Sequence, residues 1–270
     1  MMFYLATVFI GTIYPIFTQV LYDTKISVGP PFYNSVIAPI IIPFLIMMAI
    51  GPRISWIKQK YNDFKSLIFI LILSCVINFL IFTFLKSYNL LSNLIIISSL
   101  FLILHSLKDF IINLQTKSYY NLPSFLSHTG FGILMLFIIL NHNFSKEYDL
   151  NIKVGETKKI DNIEIKFKDL KIEKRENYNA IIGNFNILDL KKNYRKNLNP
   201  EIRIYDNPQT LTFESAIKTN LKQDLYLTMS NIDGSDFYNV KFQIKPFMLW
   251  IWFAALLTAS GGLLRTFLKK

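Results

Sequence analysis

The sequence is poor in the side chains that most often do chemistry. It has a single cysteine, Cys75, set in an apolar run. That excludes an intrachain disulfide scaffold, a Cys-rich zinc site and a CxxC redox pair. Histidine is almost as scarce, with only His105, His128 and His142. There is no Walker loop, no GxGxxG turn and no zinc-binding spacing, and no residue is assigned a catalytic role. Charge is short too: 17% of the 270 residues are charged, where a soluble domain of this size carries about a quarter. A wholly soluble protein is excluded, because so little charge cannot coat a water-facing surface.

What the sequence does have is hydrocarbon. Hydrophobic residues make up 52% of it and the mean hydropathy is +0.34. Six runs, at 3–21, 36–52, 66–85, 93–114, 124–141 and 247–267, approach the ~20 residues a helix needs to cross about 30 Å of bilayer. The second is short and contains Pro39 and Pro43, which kink helices but are tolerated in membrane bundles. The first lacks a basic leading segment and a small-residue cleavage site, so it is expected to be a retained helix.

The net charge of +11 is unevenly spread. Residues 146–245 hold 18 Lys and Arg against 15 Asp and Glu, leaving 11 against 3 for the apolar parts. The basic excess therefore belongs to the membrane part, and nucleic acid is not an expected partner. With both termini inside, Arg53, Lys58, Lys60, Lys65, Lys108, Lys117, Arg265, Lys269 and Lys270 fall at inner ends or loops. Only Lys25 and Lys86 fall in short outer loops, and this asymmetry sets the orientation. The polar stretch then lies outside.

That stretch alternates with period two, as in Asn162-Ile163-Glu164-Ile165-Lys166-Phe167 and Val240-Lys241-Phe242-Gln243-Ile244. Turn signals such as Asp206-Asn207-Pro208 and Asp233-Gly234 break it into six or so short strands. One helical turn is expected, at Phe213-Glu214-Ser215-Ala216-Ile217. The expected fold is thus a mainly α polytopic membrane protein with one outer antiparallel β domain inserted between the last two of about six transmembrane helices. Its parts are a five-span helical region at 1–142, the β domain at 143–246, and a final helix with a basic inner tail at 247–270.

A histidine inside a bilayer is a functional candidate, and metal or haem ligation is one use. His128 lies within the fifth span in Ser127-His128-Thr129-Gly130-Phe131-Gly132. Gly130 and Gly132 remove bulk beside the imidazole, admitting a flat macrocycle or another helix. Ser127 or Thr129 is placed to orient the ring. The other reading of His128 is an interhelical hydrogen bond on a small-residue packing face. His105, about 9 Å away along the membrane normal at 1.5 Å per residue, makes an awkward partner for one iron and is expected to hydrogen-bond a neighbouring helix. His142 lies at the outer boundary. Trp250 and Trp252 fit an interfacial aromatic belt.

Ordered motifs then carry a family resemblance. They are Gly11-Thr12-Ile13-Tyr14-Pro15, Ser27-Val28-Gly29-Pro30-Pro31-Phe32-Tyr33-Asn34, Pro39, Gly51-Pro52, Trp56, Ser127-His128-Thr129-Gly130, Gly155-Glu156, Thr212-x-Glu214-Ser215-Ala216-Ile217, Asp224-Leu225-Tyr226, Lys245-Pro246-Phe247-x-x-Trp250-Ile251-Trp252 and Gly261-Gly262-Leu263-Leu264. In this order the chain resembles the C-terminal part of the CcmF family, the haem lyases of cytochrome c maturation. The resemblance implies a protein that joins haem to the CxxCH thiols of apocytochrome c outside the membrane. It implies an internal haem b held by two membrane histidines, of which one maps onto His128, with Ser127, Thr129, Gly130 and Gly132 around it and quinol as electron source.

The family's Trp-rich haem-handling segment, its outer histidines and its other membrane histidine find no counterpart here. The resemblance is therefore to the C-terminal half of a divided lyase, as in some mitochondria. Such a subunit is expected to be inactive alone, in the mitochondrial inner membrane or the bacterial plasma membrane. Its implied partners are the N-terminal half, other maturation proteins, apocytochrome c, haem and lipid, and the β domain is expected to dock rather than react. A haem-less structural subunit of a respiratory or biogenesis assembly is the alternative. A small-solute transporter has only the helix count behind it.

Overall fold

The computed structural model describes residues 2–24, 26–53, 64–84, 89–115, 122–190 and 194–268. Trp56 and Lys25, Lys58, Lys60, Lys86, Lys117, Lys269 and Lys270 lie outside the described residues. Two compact units emerge, residues 1–139 with 251–270 and residues 140–250.

The first unit is helical. Its helices are α1 (Met2–Tyr22), α2 (Pro30–Ile50), α3 (Phe64–Phe84), α4 (Leu90–Gln115), α5 (Leu122–Phe144) and α6 (Met248–Phe267). All six are long and apolar enough to cross a membrane. In lipid a spanning segment must satisfy its backbone internally, so such runs become helices. α2 starts at Pro30, six residues before the expected span. Pro30 and Pro31 occupy its first turn, where a missing N–H leaves nothing unpaired. The stretch 28–34 is thus largely helix, and Pro39 and Pro43 lie inside it.

α4 is the central helix. Ile96 and Leu102 on it are fully buried, and Leu45 of α2 belongs to the same core. Two buried hydroxyls fold back on their own helices: Ser98 Oγ donates to Leu94 O at 2.9 Å and Ser74 Oγ to Ile70 O at 2.8 Å. Between helices, Asn78 Nδ2 donates to Asn93 Oδ1 at 3.3 Å and Lys108 Nζ to Ser66 Oγ. These bonds replace water that the hydrocarbon does not supply.

Among the described residues the second unit is an antiparallel sandwich of ten strands: β1 (Lys146–Lys153), β2 (Thr157–Ile160), β3 (Ile163–Lys174), β4 (Tyr178–Asp189), β5 (Tyr194–Leu198), β6 (Glu201–Asp206), β7 (Gln209–Glu214), β8 (Ala216–Thr219), β9 (Gln223–Asn231) and β10 (Phe237–Pro246). One sheet has the order β1-β10-β9-β8; the other runs β2-β3-β4-β6-β7, with β5 also on β4. The helical turn expected at Phe213–Ile217 is absent. That stretch is the end of β7 and the start of β8, on either side of Ser215. Phe213 pairs with Ile202 and Ala216 with Leu227, and the β-branched and aromatic side chains there favour strand once partners exist on both sheets. Ser215 Oγ lies 2.8 Å from Thr228 Oγ1 at the crossing.

Inward-facing residues of both sheets make one core. Phe167 and Phe185 stack at 4.1 Å, and Tyr238 meets Phe167 edge-on at 5.5 Å. Gly234 at φ +73° supplies the left-handed corner between β9 and β10 that a side chain would strain. The helix ends belonging to this unit are tied in. Asn141 Nδ2 donates to Pro246 O at 2.5 Å, Trp250 Nε1 donates to Leu221 O at 2.9 Å, and the Phe144 and Phe247 rings meet edge-on.

Two stability outcomes follow from burial. Phe167→Ala removes a fully buried ring and should cost about 3–5 kcal/mol, whereas Ile172→Thr, at 78% exposure, should stay within about 0.5 kcal/mol; thermal melts of the sheet signal separate them. Asp224 is 5% exposed, and burial raises its carboxyl above the ordinary range, against hydrogen bonds from Thr219 and Tyr226. A raised folded value means its contribution is present at low pH and is lost as pH climbs through that value. Asp224→Asn should therefore melt higher than the parent near neutrality, with the difference vanishing towards pH ~4.

Candidate functional site

α5 lies close to two other helices, and glycine is the reason. A Cβ on Gly130 would stand 2.7 Å from Thr258 N of α6, and one on Gly132 would stand 2.7 Å from Ile103 Cγ1 and 3.3 Å from Ser99 O of α4. From the other side, a Cβ on Gly261 would come within 2.6 Å of Pro123 O. Ser127 Oγ donates to Thr258 O at 3.4 Å. The glycines beside His128 thus admit neighbouring helices, as small residues do in membranes. Ser127 is turned to α6 and does not hold the imidazole. Thr129 is buried at 7%, and its Oγ1 has no hydrogen-bond partner among the described residues.

His128 shares a helix face with Gly132 one turn later and with Ser124 and Phe125 one turn earlier. On that face lies a cavity of about 360 Å³ lined by Ser106, Asp109 and Phe110 of α4, Ser124, Phe125 and His128 of α5, and Pro52. Phe110 and Phe125 stack at 4.1 Å, joining α4 to α5 beside it. His128 is half-buried.

The other histidines are placed differently. His105 is 1% exposed, does not line the cavity, and has its Nδ1 3.7 Å from Asp109 Oδ2 one turn along its own helix. Its ring leans on Phe101 at 5.8 Å. Both of these contacts lie within α4. His142 is exposed near the end of α5. Asp109 is the residue that sequence reasoning passed over. Its signal was an acidic side chain within the apolar run 93–114, which is as notable as a histidine there. Among the described residues no three His, Cys, Asp or Glu converge as a metal cluster.

Residues 143–246 match the family model described as the CcmF C-terminal beta-sandwich. The chain is 29% identical over 284 residues to the cytochrome c-type biogenesis protein CcmF of Haemophilus influenzae, covering 98% of this chain and 43% of that protein. It is 25% identical to CcmF of Escherichia coli K12, over 96% of this chain and 41% of that one. A solved structure titled Cytochrome c Heme Lyase CcmF shares the fold at a TM-score of 0.74 and 18% identity, covering 96% of this chain and 42% of the other. The chain therefore resembles the C-terminal part of CcmF proteins and spans about two-fifths of the relatives' length.

The close approaches make a graded prediction. Gly130→Val places side-chain atoms on the α6 backbone and should destabilise by about 1–3 kcal/mol or more. Gly262→Ala, with nothing within 4 Å of its Cβ, should be neutral or stabilise by up to about 1 kcal/mol; melting of both variants in detergent gives the comparison.

Proposed function

We propose that this chain supplies the C-terminal portion of a cytochrome c haem lyase, contributing one axial ligand to an internal haem b through His128 and a docking domain through its β sandwich. The observation that carries the reading is an imidazole in an apolar span, facing a cavity and making no hydrogen bond to another described residue. A polar ring at that depth calls for a partner.

The residues present fit such a ligand. His128 would hold the iron, with Phe110 and Phe125 as apolar walls, and a further ligand would come from the remainder of the lyase. The bound haem would supply one-electron chemistry at a potential set by its ligands and burial. This chain's own groups would exclude water and keep Asp109 beside His105, so that the acidic side chain has a neighbour able to carry positive charge.

Quinol as electron source, apocytochrome c and haem as substrates, and other maturation proteins as partners belong to this reading. So do the five-span, β-domain and final-helix division at 1–142, 143–246 and 247–270, and an outer β domain in a mitochondrial inner or bacterial plasma membrane. The orientation is supported by the basic residues at inner helix ends, among them Lys65, Lys108 and Arg265, which resist translocation.

A second reading, a haem-less structural subunit, is favoured by one observation: the space beside Gly130 and Gly132 is occupied by α6 and α4. Optical spectra separate the two. In the purified assembly His128→Ala should remove most of the reduced b-type haem band, and added imidazole should restore part of it. Full retention of the band in His128→Ala would sink the ligand assignment.

A further inference from the structure

A second cavity, of about 460 Å³, lies within the sandwich and is walled by Ile187, Leu225, Phe242 and Ile244, with Asp189, Lys196 and Lys222 as its charged lining. Its size is that of a small-molecule site, and so is its make-up, apolar walls with a few polar groups. Strand register explains why a lysine is there. β5 pairs with β4 so that Lys196 stands opposite Ile187 and Leu198 opposite Phe185. Cross-strand partners share a face, and Ile187, Phe185 and Leu198 all belong to the inter-sheet core. Lys196 therefore projects from the apolar face of its sheet, and it is 7% exposed.

An ammonium at a core position is costly unless charge meets it. Asp189 pairs with Tyr194 and so is the diagonal neighbour of Lys196 on the same face. Across the cavity Lys222 is exposed, so two cations face one anion. The wall that carries Lys222 is also fastened to the start of α6. Phe247 N donates to Lys222 O at 3.0 Å, Gln223 pairs with Pro246, and the Trp250 indole donates to Leu221 O. α6 is a candidate membrane span, so the cavity lies within a few residues of where the chain enters lipid.

We propose that this cavity binds a single-headed anionic amphiphile: its acyl chain inserts between the sheets, and its carboxylate or phosphate meets Lys196 and Lys222. The apolar walls reward the burial of hydrocarbon. The surplus positive charge selects an anionic head over a zwitterionic one. The chemistry is shared by a free fatty acid and an anionic phospholipid, and the site is independent of whether haem is bound at His128.

Photo-crosslinking of the full chain in phosphatidylcholine nanodiscs tests it. One arm uses stearic acid bearing a diazirine at its chain end, the other phosphatidylglycerol bearing the diazirine on an acyl chain. Adducts should map to peptides containing Ile187 and Phe242. Lys196→Met should lower their yield about tenfold, as should excess unlabelled probe, the former by loss of a charge-assisted contact. Lys222→Gln, at an exposed position, should lower it less and Asp189→Asn should raise it. Labelling by the fatty acid assigns a free amphiphile, and labelling by phosphatidylglycerol alone assigns a membrane lipid. Should Lys196→Met lose its sheet signal in circular dichroism, the competition and Lys222→Gln decide. No adduct in either arm, or adducts indifferent to unlabelled probe and to Lys222→Gln, overturns the proposal.

Discussion

Backbone contact between helices is the constraint on which the helical unit depends. Between two helices in lipid there is little hydrophobic driving force, so association comes from close packing and polar contacts. Gly130 and Gly261 let α5 and α6 meet at that distance, and Gly132 does the same for α5 and α4. With α5 held on two sides, its rotation is fixed, and so is the direction of every side chain on it. One turn before Gly132 the same face carries His128, and there the cavity lies between α4 and α5. The site is a consequence of the packing a turn away.

The sandwich obeys the same logic at period two. Its register puts Ile165, Phe167, Phe185, Ile187, Leu227 and Phe242 in the core, and a slip of one residue would expose all of them. Register also makes Lys196 conspicuous, because it stands opposite Ile187 and two residues from Leu198, both in the core. On the opposite face of the four-stranded sheet, Glu147 and Lys241 are hydrogen-bonded, which holds the Glu147 carboxyl below and the Lys241 ammonium above their ordinary ranges. Both are solvent-facing, so that pair is screened and adds little stability.

Much of this was legible beforehand, for physical reasons. A run of about 20 apolar residues has few structural outcomes, and the six helices follow from it. Period-two alternation likewise marks strands. What failed were places where the decision is made by distant partners. The Pro30-Pro31 pair reads as a loop until the rest of α2 is there to be capped by it. Phe213–Ile217 reads as a helical turn because its neighbours on β6 and β9 are remote in sequence. Gly130 and Gly132 announced that something comes close without saying what, and the answer is helix. Asp109 carries the same signal as a histidine there, because a carboxylate in an apolar run is just as costly.

Asp109 bears on the choice between a packing face and a functional one. Packing alone is achieved by Gly130, Gly132 and Gly261 and needs no ionisable group. Yet the cavity wall holds both Asp109 and His128, and His105 stands one turn behind Asp109 at 3.7 Å. Each such group is costly in hydrocarbon, and apolar residues of similar size would pack α4 on α5 at least as well. A bundle shaped only by stability would lose them. The cavity wall thus carries two ionisable side chains beside serines and aromatic rings, with a third one turn behind Asp109.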